Sequence, residues 1–595
     1  MKKYLFFIII LMSFMFSSCI LNNINQHNTD NKDLAVLFNN YYEERMQLFP
    51  LEATQNGDNR FNDKLYADFT EEYHSKLKEF YTNYLAYINH FDREQLDDND
   101  KVSFDVFKRE MEMSIEGLGF HQNLMVFNQF EGLPIYIGQM ASGDGIQPFK
   151  TAKDYDNWLQ RMKAFSVWTD SAIVYFRKGM ESKDVLPKSL VVKMIPQMKD
   201  MMNDTIEKHL FYTPVTKFPD SISTADKQRL TAAYKQSIQT YIIPTYKKLY
   251  DFLSNEYLPK ARNTSGINDL PDGAAYYTYM VKSWTTTNKT PEEIYQTGLS
   301  EVKRIRAEME KTKDAVGFKG NLKEFFEALK VDKKLMPYKT PEEIINAFRN
   351  IQKTIDPKLK TMFTVVPKTK FEIRQTEAFR AASGSAEYNQ GSADGSRPGI
   401  FYIPIVDATK FNITTGMESL FLHEAIPGHH YQVSLQQEND KLPKFRRFCW
   451  YGAYGEGWAL YCESLGKELG LYTNPYQYMG ALGDEMLRAV RLVVDVSLHT
   501  GTMTREQAVA YMLENLPYSE EDAVAAIERY MAIPAQALSY KIGALKLREL
   551  REKYHTKLGN KFSISNFHDE LLKDGCLPLE TLEKKMDEWA EKQAD

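Results

Sequence analysis

Apolar residues recur at intervals of three and four along much of the chain, among lysine and glutamate residues. The pattern is clearest at 33–47, 71–88, 155–177 and 225–256. Because this spacing places apolar side chains on one face of a helix, it predicts amphipathic helices that pack against one another. We therefore expect the first half of the chain to consist of helical hairpins.

Local signals mark two helix starts and a break between two halves. Thr290 and Thr340 are each followed by proline and two glutamates, a combination that favours a helix N-terminus. Proline and glycine interrupt the pattern at 268–273, which indicates a boundary. We predict an N-terminal helical half at 34–270 and a C-terminal helical half at 271–595.

One stretch departs from the helical pattern. Glycine and serine are frequent from 381 to 406, and residues 399–405 form a short apolar run with strand propensity. Pro404 lies inside this run, and proline within a strand favours an edge position. An edge strand here could pair with an extended peptide, so Tyr402 is a candidate substrate-binding residue.

The first 19 residues have the features of a secretory signal. Two lysines precede an apolar run at 5–16, which is shorter than the roughly 20 residues that span a bilayer. The run leads to Ser17-Ser18-Cys19, which is similar to a bacterial lipoprotein processing site and predicts lipidation of Cys19. A signal followed by an ordinary cysteine is the alternative. Residues 20–33 are expected to form a flexible tether, and the predicted location is the bacterial cell envelope, anchored to a membrane.

Composition narrows the range of functions. The 595 residues include 74 basic and 80 acidic ones, with a net charge of −6 and no basic tract, so a nucleic-acid partner is not expected. The 36 tyrosines and 35 phenylalanines suit packed helical interfaces or a cleft lined with rings. Cys449, Cys462 and Cys576 form no CxxC pair and no readable disulfide framework. The sequence does not indicate an oligomeric state.

Three of the 11 histidines, His423, His429 and His430, fall within eight residues. Imidazoles beside a carboxylate are typical zinc ligands, and three protein ligands leave a fourth position open for catalysis. In an unbroken helix His430 would join His423, but Pro427 removes a helical hydrogen bond and Gly428 permits a bulge. If these two residues are looped out, His429 replaces the second histidine of an HExxH motif. We favour His423 and His429 as ligands of one zinc ion, with His430 as the alternative.

A third ligand is available between residues 454 and 465. Glu456 and Glu463 are seven residues apart, on one face of a helix. One carboxylate could bind the metal while the other orients a neighbouring ligand. The segment Glu-Gly-Trp-Ala-Leu-Tyr-Cys-Glu is similar to the element of gluzincin metallopeptidases that supplies the third zinc ligand downstream of HExxH. This resemblance implies that Glu456 is the ligand and Glu463 the orienting group.

Most of the mature chain resembles the bacterial family called domain of unknown function 885, whose members are often lipoproteins and are grouped with gluzincin peptidases. The matching segments are His-Glu-Ala-Ile-Pro-Gly-His-His at 423–430, Glu-Gly-Trp-Ala-Leu-Tyr at 456–461, Asp-Gly-Ser-Arg-Pro-Gly at 394–399 and the stretch 529–543. The resemblance implies a mainly α, multi-helix gluzincin-like fold with a central cleft. It also implies a short edge strand or small sheet beside the metal site.

Further residues are assigned roles around the metal. Glu424 is predicted to act as general base toward a zinc-activated water. Tyr540, with Tyr530 as second choice, is predicted to donate a hydrogen bond to the developing oxyanion. Arg529 and Lys541 are predicted to bind a substrate carboxylate. Core packing and a structural ion pair are equally good explanations for the tyrosines and for Arg529.

Arg488, Arg491, Asp495 and His499 recur at spacings of three and four, along one helical face. If that face borders the cleft, Asp495 supports the metal site and His499 contacts the substrate. A buried ladder of salt bridges explains the same pattern, and we favour that explanation slightly.

We therefore predict an exported zinc metallopeptidase that hydrolyses peptide bonds in short peptides, with a glutamate as general base. One alternative is a non-catalytic peptide-binding or scaffold lipoprotein that keeps a peptidase-like fold. Another alternative is a zinc amidase that acts on cell-wall peptides.

Overall fold

The structure of the protein is a computed structural model that describes residues 31–143, 145–376, 385–391 and 397–594. The predicted lipidation site Cys19 therefore lies outside the described residues, as does the first half of the Asp-Gly-Ser-Arg-Pro-Gly segment, residues 394–396. None of the described helices combines enough length and apolarity to cross a bilayer.

Helices dominate the described residues, and the predicted mainly α fold class is confirmed. The helices of the first half are α1 (Asn31–Leu48), α2 (Pro50–Gln55), α3 (Glu71–Ile88), α4 (Asp98–Gly117), α5 (Leu133–Ala141), α6 (Ala152–Ser182), α7 (Lys188–Asp200), α8 (Thr224–Ser237) and α9 (Ile243–Phe252). The four amphipathic stretches predicted from the apolar spacing fall in α1, α3, α6 and the segment that contains α8 and α9.

The second half continues as helices and carries the small sheet. Its helices are α10 (Gly273–Thr285), α11 (Pro291–Ala315), α12 (Leu322–Val331), α13 (Pro341–Met362), α14 (Met417–Glu424), α15 (His429–Glu438), α16 (Lys444–Arg447), α17 (Gly452–Ser464), α18 (Gly466–Leu469), α19 (Pro475–His499), α20 (Arg505–Asn515), α21 (Glu520–Ala532), α22 (Ser539–Leu558), α23 (Ile564–Leu572) and α24 (Leu579–Ala594). Both predicted helix starts are confirmed, because Thr290 and Thr340 form capping boxes at the beginnings of α11 and α13.

A three-stranded sheet consists of β1 (Phe371–Gln375), β2 (Glu387–Asn389) and β3 (Gly399–Ile403), in the order β1-β3-β2. Strand β3 runs parallel to β1 and antiparallel to β2. The prediction that residues 399–405 form an edge strand is therefore wrong. Pro404 follows β3 and ends it, because proline cannot continue the hydrogen-bond ladder, and β2 takes the edge position instead.

The described residues form three hydrophobic clusters. The first combines side chains of α1, α3 and α4 with side chains of β3, α14, α17, α22 and α23. The second lies between residues 69 and 257, and the third surrounds α19 with α11, α12, α20 and α21. Because the first cluster joins residues from both sides of 270, packing does not separate the chain at the predicted boundary.

Candidate metal centre

The turn between α14 and α15 brings two histidines together. Helix α14 ends at Glu424, and α15 begins at His429 after the Pro427-Gly428 turn. A Cβ atom on Gly428 would overlap the carbonyl oxygen of His423, so only glycine allows the chain to pass this close to α14. As a result, the rings of His423 and His429 lie 4.9 Å apart, centroid to centroid.

Helix α17 completes the group of side chains. Oε2 of Glu456 lies 3.4 Å from Nε2 of His423 and 3.5 Å from Nε2 of His429. Among the described residues, these three side chains form the group that could hold a metal ion, and their ligand atoms all lie within 4.8 Å of one another. His430 lies outside this group and contacts β2, where its Nδ1 is 3.0 Å from the hydroxyl of Tyr388.

The spacing of the ligand atoms fits zinc. Distances of 3.4 and 3.5 Å are long for hydrogen bonds between charged groups. They match the separation of about 3.4 Å between two ligands of a tetrahedral zinc ion with bonds of about 2.0–2.1 Å. Two imidazoles and one carboxylate are also a donor set that zinc accepts in sites with an open position.

Only one of the two histidines is oriented by a second carboxylate. Nδ1 of His423 lies 2.7 Å from Oε1 of Glu463, which is about two turns after Glu456 on the same face of α17. An ionised carboxylate only accepts hydrogen bonds, so the proton lies on Nδ1 and Nε2 faces the other ligands. Nδ1 of His429 is buried without a hydrogen-bond partner among the described residues.

The three side chains favour a positive charge between them. Burial alone would lower the pKa of His423, but the carboxylates of Glu456 and Glu463 outweigh it and raise that pKa to about 10. Burial would raise the pKa of Glu456, yet the two histidines hold it well below its usual range. Both shifts favour a cation at this position, and a metal ion would compete there with the proton on His423.

The edge strand β2 lies against the predicted general base. Glu424 directly follows His423, and its Oε2 accepts a hydrogen bond of 3.0 Å from the backbone N–H of Tyr388. The hydroxyl of the same tyrosine contacts His430. Burial lowers the pKa of His430 to about 4, so this histidine is neutral near pH 7 and serves as a packing partner of the sheet.

A close helix crossing brings the helix that carries Tyr540 against the helix that carries Glu456. Helices α17 and α22 cross at Gly457 and Gly543, where a Cβ atom on Gly543 would overlap the carbonyl oxygen of Ala453. Burial is the main cause that raises the pKa of Tyr540, and the charge of Glu456 adds to it. Tyr540 and Glu456 therefore lie on two helices that are in direct contact.

Arg491 lies over the Tyr540 ring, with 4.7 Å between its guanidinium carbon and the ring centroid. Its Nε also donates to the hydroxyl of Tyr530 at 3.0 Å. Tyr530 is buried and belongs to the core around α19. Of the two predicted oxyanion donors, Tyr530 therefore already accepts a hydrogen bond from Arg491 in the core, whereas Tyr540 lies on the helix that crosses α17.

Lys541 is fully buried, and its Nζ lies 2.7 Å from both Glu301 and Glu485. These two carboxylates neutralise the positive charge of Lys541. Its surroundings therefore do not support the predicted role in binding a substrate carboxylate. The partners lie far away in sequence, on α11 and α19, and no local pattern could have indicated them.

Asp495 and His499 are also buried, and both form hydrogen bonds with other residues of the protein core. Oδ1 of Asp495 accepts hydrogen bonds from the hydroxyl of Tyr277 and from the backbone of Ala535. The ring nitrogens of His499 contact the backbone N–H of Ile267 and the carbonyl of Tyr530, and burial lowers its pKa to about 3. Their surroundings do not support a metal-orienting or substrate-binding role, because a periodic polar face can border a core as well as a cleft.

Two other predicted substrate-binding residues keep partial exposure. The guanidinium of Arg529 lies over the ring of Phe130 at 4.8 Å, and its charge acts on Tyr540. Tyr402 lies on the central strand β3, opposite Glu387 of β2.

Sequence reasoning missed Trp450, whose ring centroid is 5.9 Å from that of His429. It lies between α16 and α17, outside any periodic pattern that could have singled it out.

Comparisons with known proteins agree with this architecture. The chain matches a solved structure described as "the putative lipoprotein from Colwellia psychrerythraea" with 30% sequence identity and a TM-score of 0.85, covering 94% of this chain and 99% of the other. A second structure, described as "a putative lipoprotein of unknown function from Shewanella oneidensis", has 18% identity and a TM-score of 0.72, covering 92% and 98%. The second match shows the fold alone.

A comparison with curated proteins returns no significant match. The sequence profile of the family described as "Bacterial protein of unknown function (DUF885)" matches residues 50–586. The chain therefore belongs to the DUF885 family of bacterial proteins.

Proposed function

We propose that the protein is a zinc-dependent peptidase and that His423, His429 and Glu456 hold one zinc ion. The observation that carries the proposal is the spacing of 3.4 and 3.5 Å between their ligand atoms, which fits a zinc tetrahedron. When bound, zinc would lower the pKa of a water molecule and polarise the carbonyl of a peptide bond.

The neighbouring residues then have separate tasks. Glu424 takes a proton from the attacking water and passes it to the leaving amine. Tyr540, across the crossing of α17 and α22, donates a hydrogen bond to the carbonyl oxygen as that oxygen becomes negative. The edge of β2 beside Glu424 offers backbone groups to an extended peptide, and Glu463 keeps Nε2 of His423 directed at its partners.

We also propose that the mature protein is anchored to a membrane of the cell envelope through Cys19. The support is the predicted signal at 1–19 and the description of the solved structure with 30% identity as a "putative lipoprotein". Globomycin, which inhibits the lipoprotein signal peptidase, should cause accumulation of the unprocessed precursor, and Cys19→Ala should prevent labelling with a fatty-acid analogue.

The test of the activity is Glu424→Gln in the soluble form that lacks residues 1–19. We expect the variant to bind zinc as the wild type does and to lose peptide hydrolysis by at least about 100-fold, because proton transfer is removed. The exposed Glu181→Gln is the matched control and should keep full activity. A zinc-loaded wild type that hydrolyses no peptide in a library, cell-wall peptides included, would refute the proposal.

A peptide-binding protein without turnover is the second candidate. The contact between the Tyr388 N–H and Glu424 favours it, because this hydrogen bond occupies an oxygen of the carboxylate that would have to take the proton from water. Under this alternative, peptides bind the zinc-loaded wild type and Glu424→Gln equally well, and neither protein cleaves them.

A further inference from the structure

Two adjoining cavities lie on the side of the molecule where the first helices meet the metal-bearing half. The larger has a volume of about 680 Å³ and lies between α1 and α3–α5 on one side and residues 531–534 on the other. The smaller has a volume of about 250 Å³ and is bordered by Trp450, next to His429. Arg45 lines both cavities, so they meet at this side chain, and the smaller one reaches Trp450 beside His429. We call the pair of cavities together the chamber.

Exposed aromatic rings are concentrated at the chamber. In the part of the chain that the structure describes, five aromatic side chains leave more than a third of their surface exposed: Tyr66, Phe130, Tyr136, Phe448 and Trp450. Four of them line the two cavities, and Phe130 directly precedes Glu131, which lines the larger one. Exposed apolar groups gathered in one place mark a binding surface.

The charges along the chamber are mainly negative. The two linings contain four carboxylates and two guanidinium groups, an excess of two negative charges: Asp68, Glu131, Glu52, Glu110, Arg45 and Arg262. Both cations already have protein partners. Arg45 pairs with Glu52 at 2.8 Å, and Arg262 donates to the backbone carbonyls of Val185 and Thr264.

Asp68 and Glu131 differ from these groups, because neither has an ion-pair partner among the described residues. Asp68 is exposed and Glu131 is half-buried, so a positively charged group of a ligand can reach both carboxylates. Burial raises the pKa of Glu131, and a positive charge beside it would offset that effect. Carboxylates next to aromatic faces are the surroundings that ammonium and guanidinium groups prefer.

We propose that the chamber binds a positively charged group of the peptide substrate, so that the protein prefers cationic peptides over neutral or acidic ones. The inference rests on the proposed peptidase function and defines its substrate class. The cation is either a lysine or arginine side chain or the free amino terminus, and both present the same chemistry to Asp68 and Glu131.

The experiment measures binding separately from cleavage. Zinc-loaded Glu424→Gln protein is titrated calorimetrically with alanine-based heptapeptides that carry one Lys, Gln or Glu at successive positions, each with a free or acetylated amino terminus. We expect cationic peptides to bind about tenfold more tightly than neutral ones, as for a close charge pair in a desolvated site. The double change Asp68→Asn and Glu131→Gln should abolish this preference, and the exposed pair Glu181→Gln and Asp204→Asn should keep it.

The results distinguish an amino-terminal cation from a side-chain cation, and both from a chamber without a charge preference. A preference that acetylation removes identifies the amino terminus as the cation, and a preference that follows the Lys position identifies the side chain. Equal binding of Lys, Gln and Glu peptides, or an unchanged preference in Asp68→Asn/Glu131→Gln, overturns the inference about the chamber. In that case, hydrolysis of neutral peptides by the zinc-loaded wild type leaves the proposed function standing, whereas no hydrolysis of any peptide removes that function itself.

Discussion

Glu463 lies 2.7 Å from Nδ1 of His423, seven residues after Glu456 on the same helix. Helix α17 therefore supplies one candidate ligand and also fixes the ring orientation of another. The indole of Trp458, on the same helix, donates a hydrogen bond to the carbonyl of Pro427. This bond links the turn between the two histidines to α17. A single helix thus supplies Glu456 and contacts both His423 and the turn that leads to His429.

Removing the charge of Glu463 tests this arrangement. We expect Glu463→Gln to lower zinc affinity by about 10- to 100-fold, because a neutral amide oxygen is a weaker acceptor than the carboxylate that orients the imidazole and raises its basicity. Competition with a chromogenic chelator measures the change. Glu468→Gln on α18, which breaks an exposed pair with Arg551, is the control and should leave the affinity unchanged. Equal affinities for wild type and Glu463→Gln would contradict the assignment.

The two adjacent histidines should behave differently. We expect His429→Ala to lose the metal, because it removes one of three ligands. His430→Ala should retain about one zinc per chain, since its ring contacts Tyr388 instead of the ligand group. Elemental analysis of the purified proteins after dialysis against zinc-free buffer gives the answer. Loss of zinc in His430→Ala together with retention in His429→Ala would restore the alternative ligand.

The clustering of His423, His429 and Glu456 could be predicted because its determinants are largely local. Pro427 and Gly428 interrupt the helix between the histidines, and a spacing of seven places Glu456 and Glu463 on one face. The strand order could not be predicted, because the pairing of β3 with both β1 and β2 depends on segments far apart in the chain. The same holds for Lys541, whose burial depends on distant carboxylates. Periodicity indicates that a face is polar but not what covers it.

The crossing of α17 and α22 depends on the absence of a side chain at Gly543. We expect Gly543→Ala to lower the free energy of unfolding by about 1–3 kcal/mol, because the added Cβ must push the helices apart. It should also weaken zinc binding, since Glu456 lies one residue from the contact. Urea unfolding and zinc titration measure the two effects.

Gly483→Ala is the matched control for this change. A Cβ atom there meets nothing within 4 Å, so the variant should keep its zinc affinity and gain up to about 1 kcal/mol from helix propensity. Equal stabilities for Gly543→Ala and the wild type would show that the crossing has room for a methyl group.

The buried carboxyl of Asp495 should make stability depend on pH. Burial raises its pKa to about 7, above the value of about 3.9 expected in the unfolded chain. Below the lower pKa the group is protonated in both states and its contribution to stability is fully present. As pH rises toward the folded-state pKa, the unfolded chain ionises first and that contribution is lost.

We therefore compare wild type with Asp495→Asn, which keeps an oxygen for Tyr277 and cannot titrate. Relative to this variant, the wild type should lose about 2–3 kcal/mol of unfolding free energy between pH 5 and pH 8. Urea unfolding at both pH values measures the difference, with the exposed Asp204→Asn as control. Stability curves that stay parallel for wild type and Asp495→Asn across this range would mean that Asp495 is already ionised in the fold, beside the Tyr277 hydroxyl that donates to it.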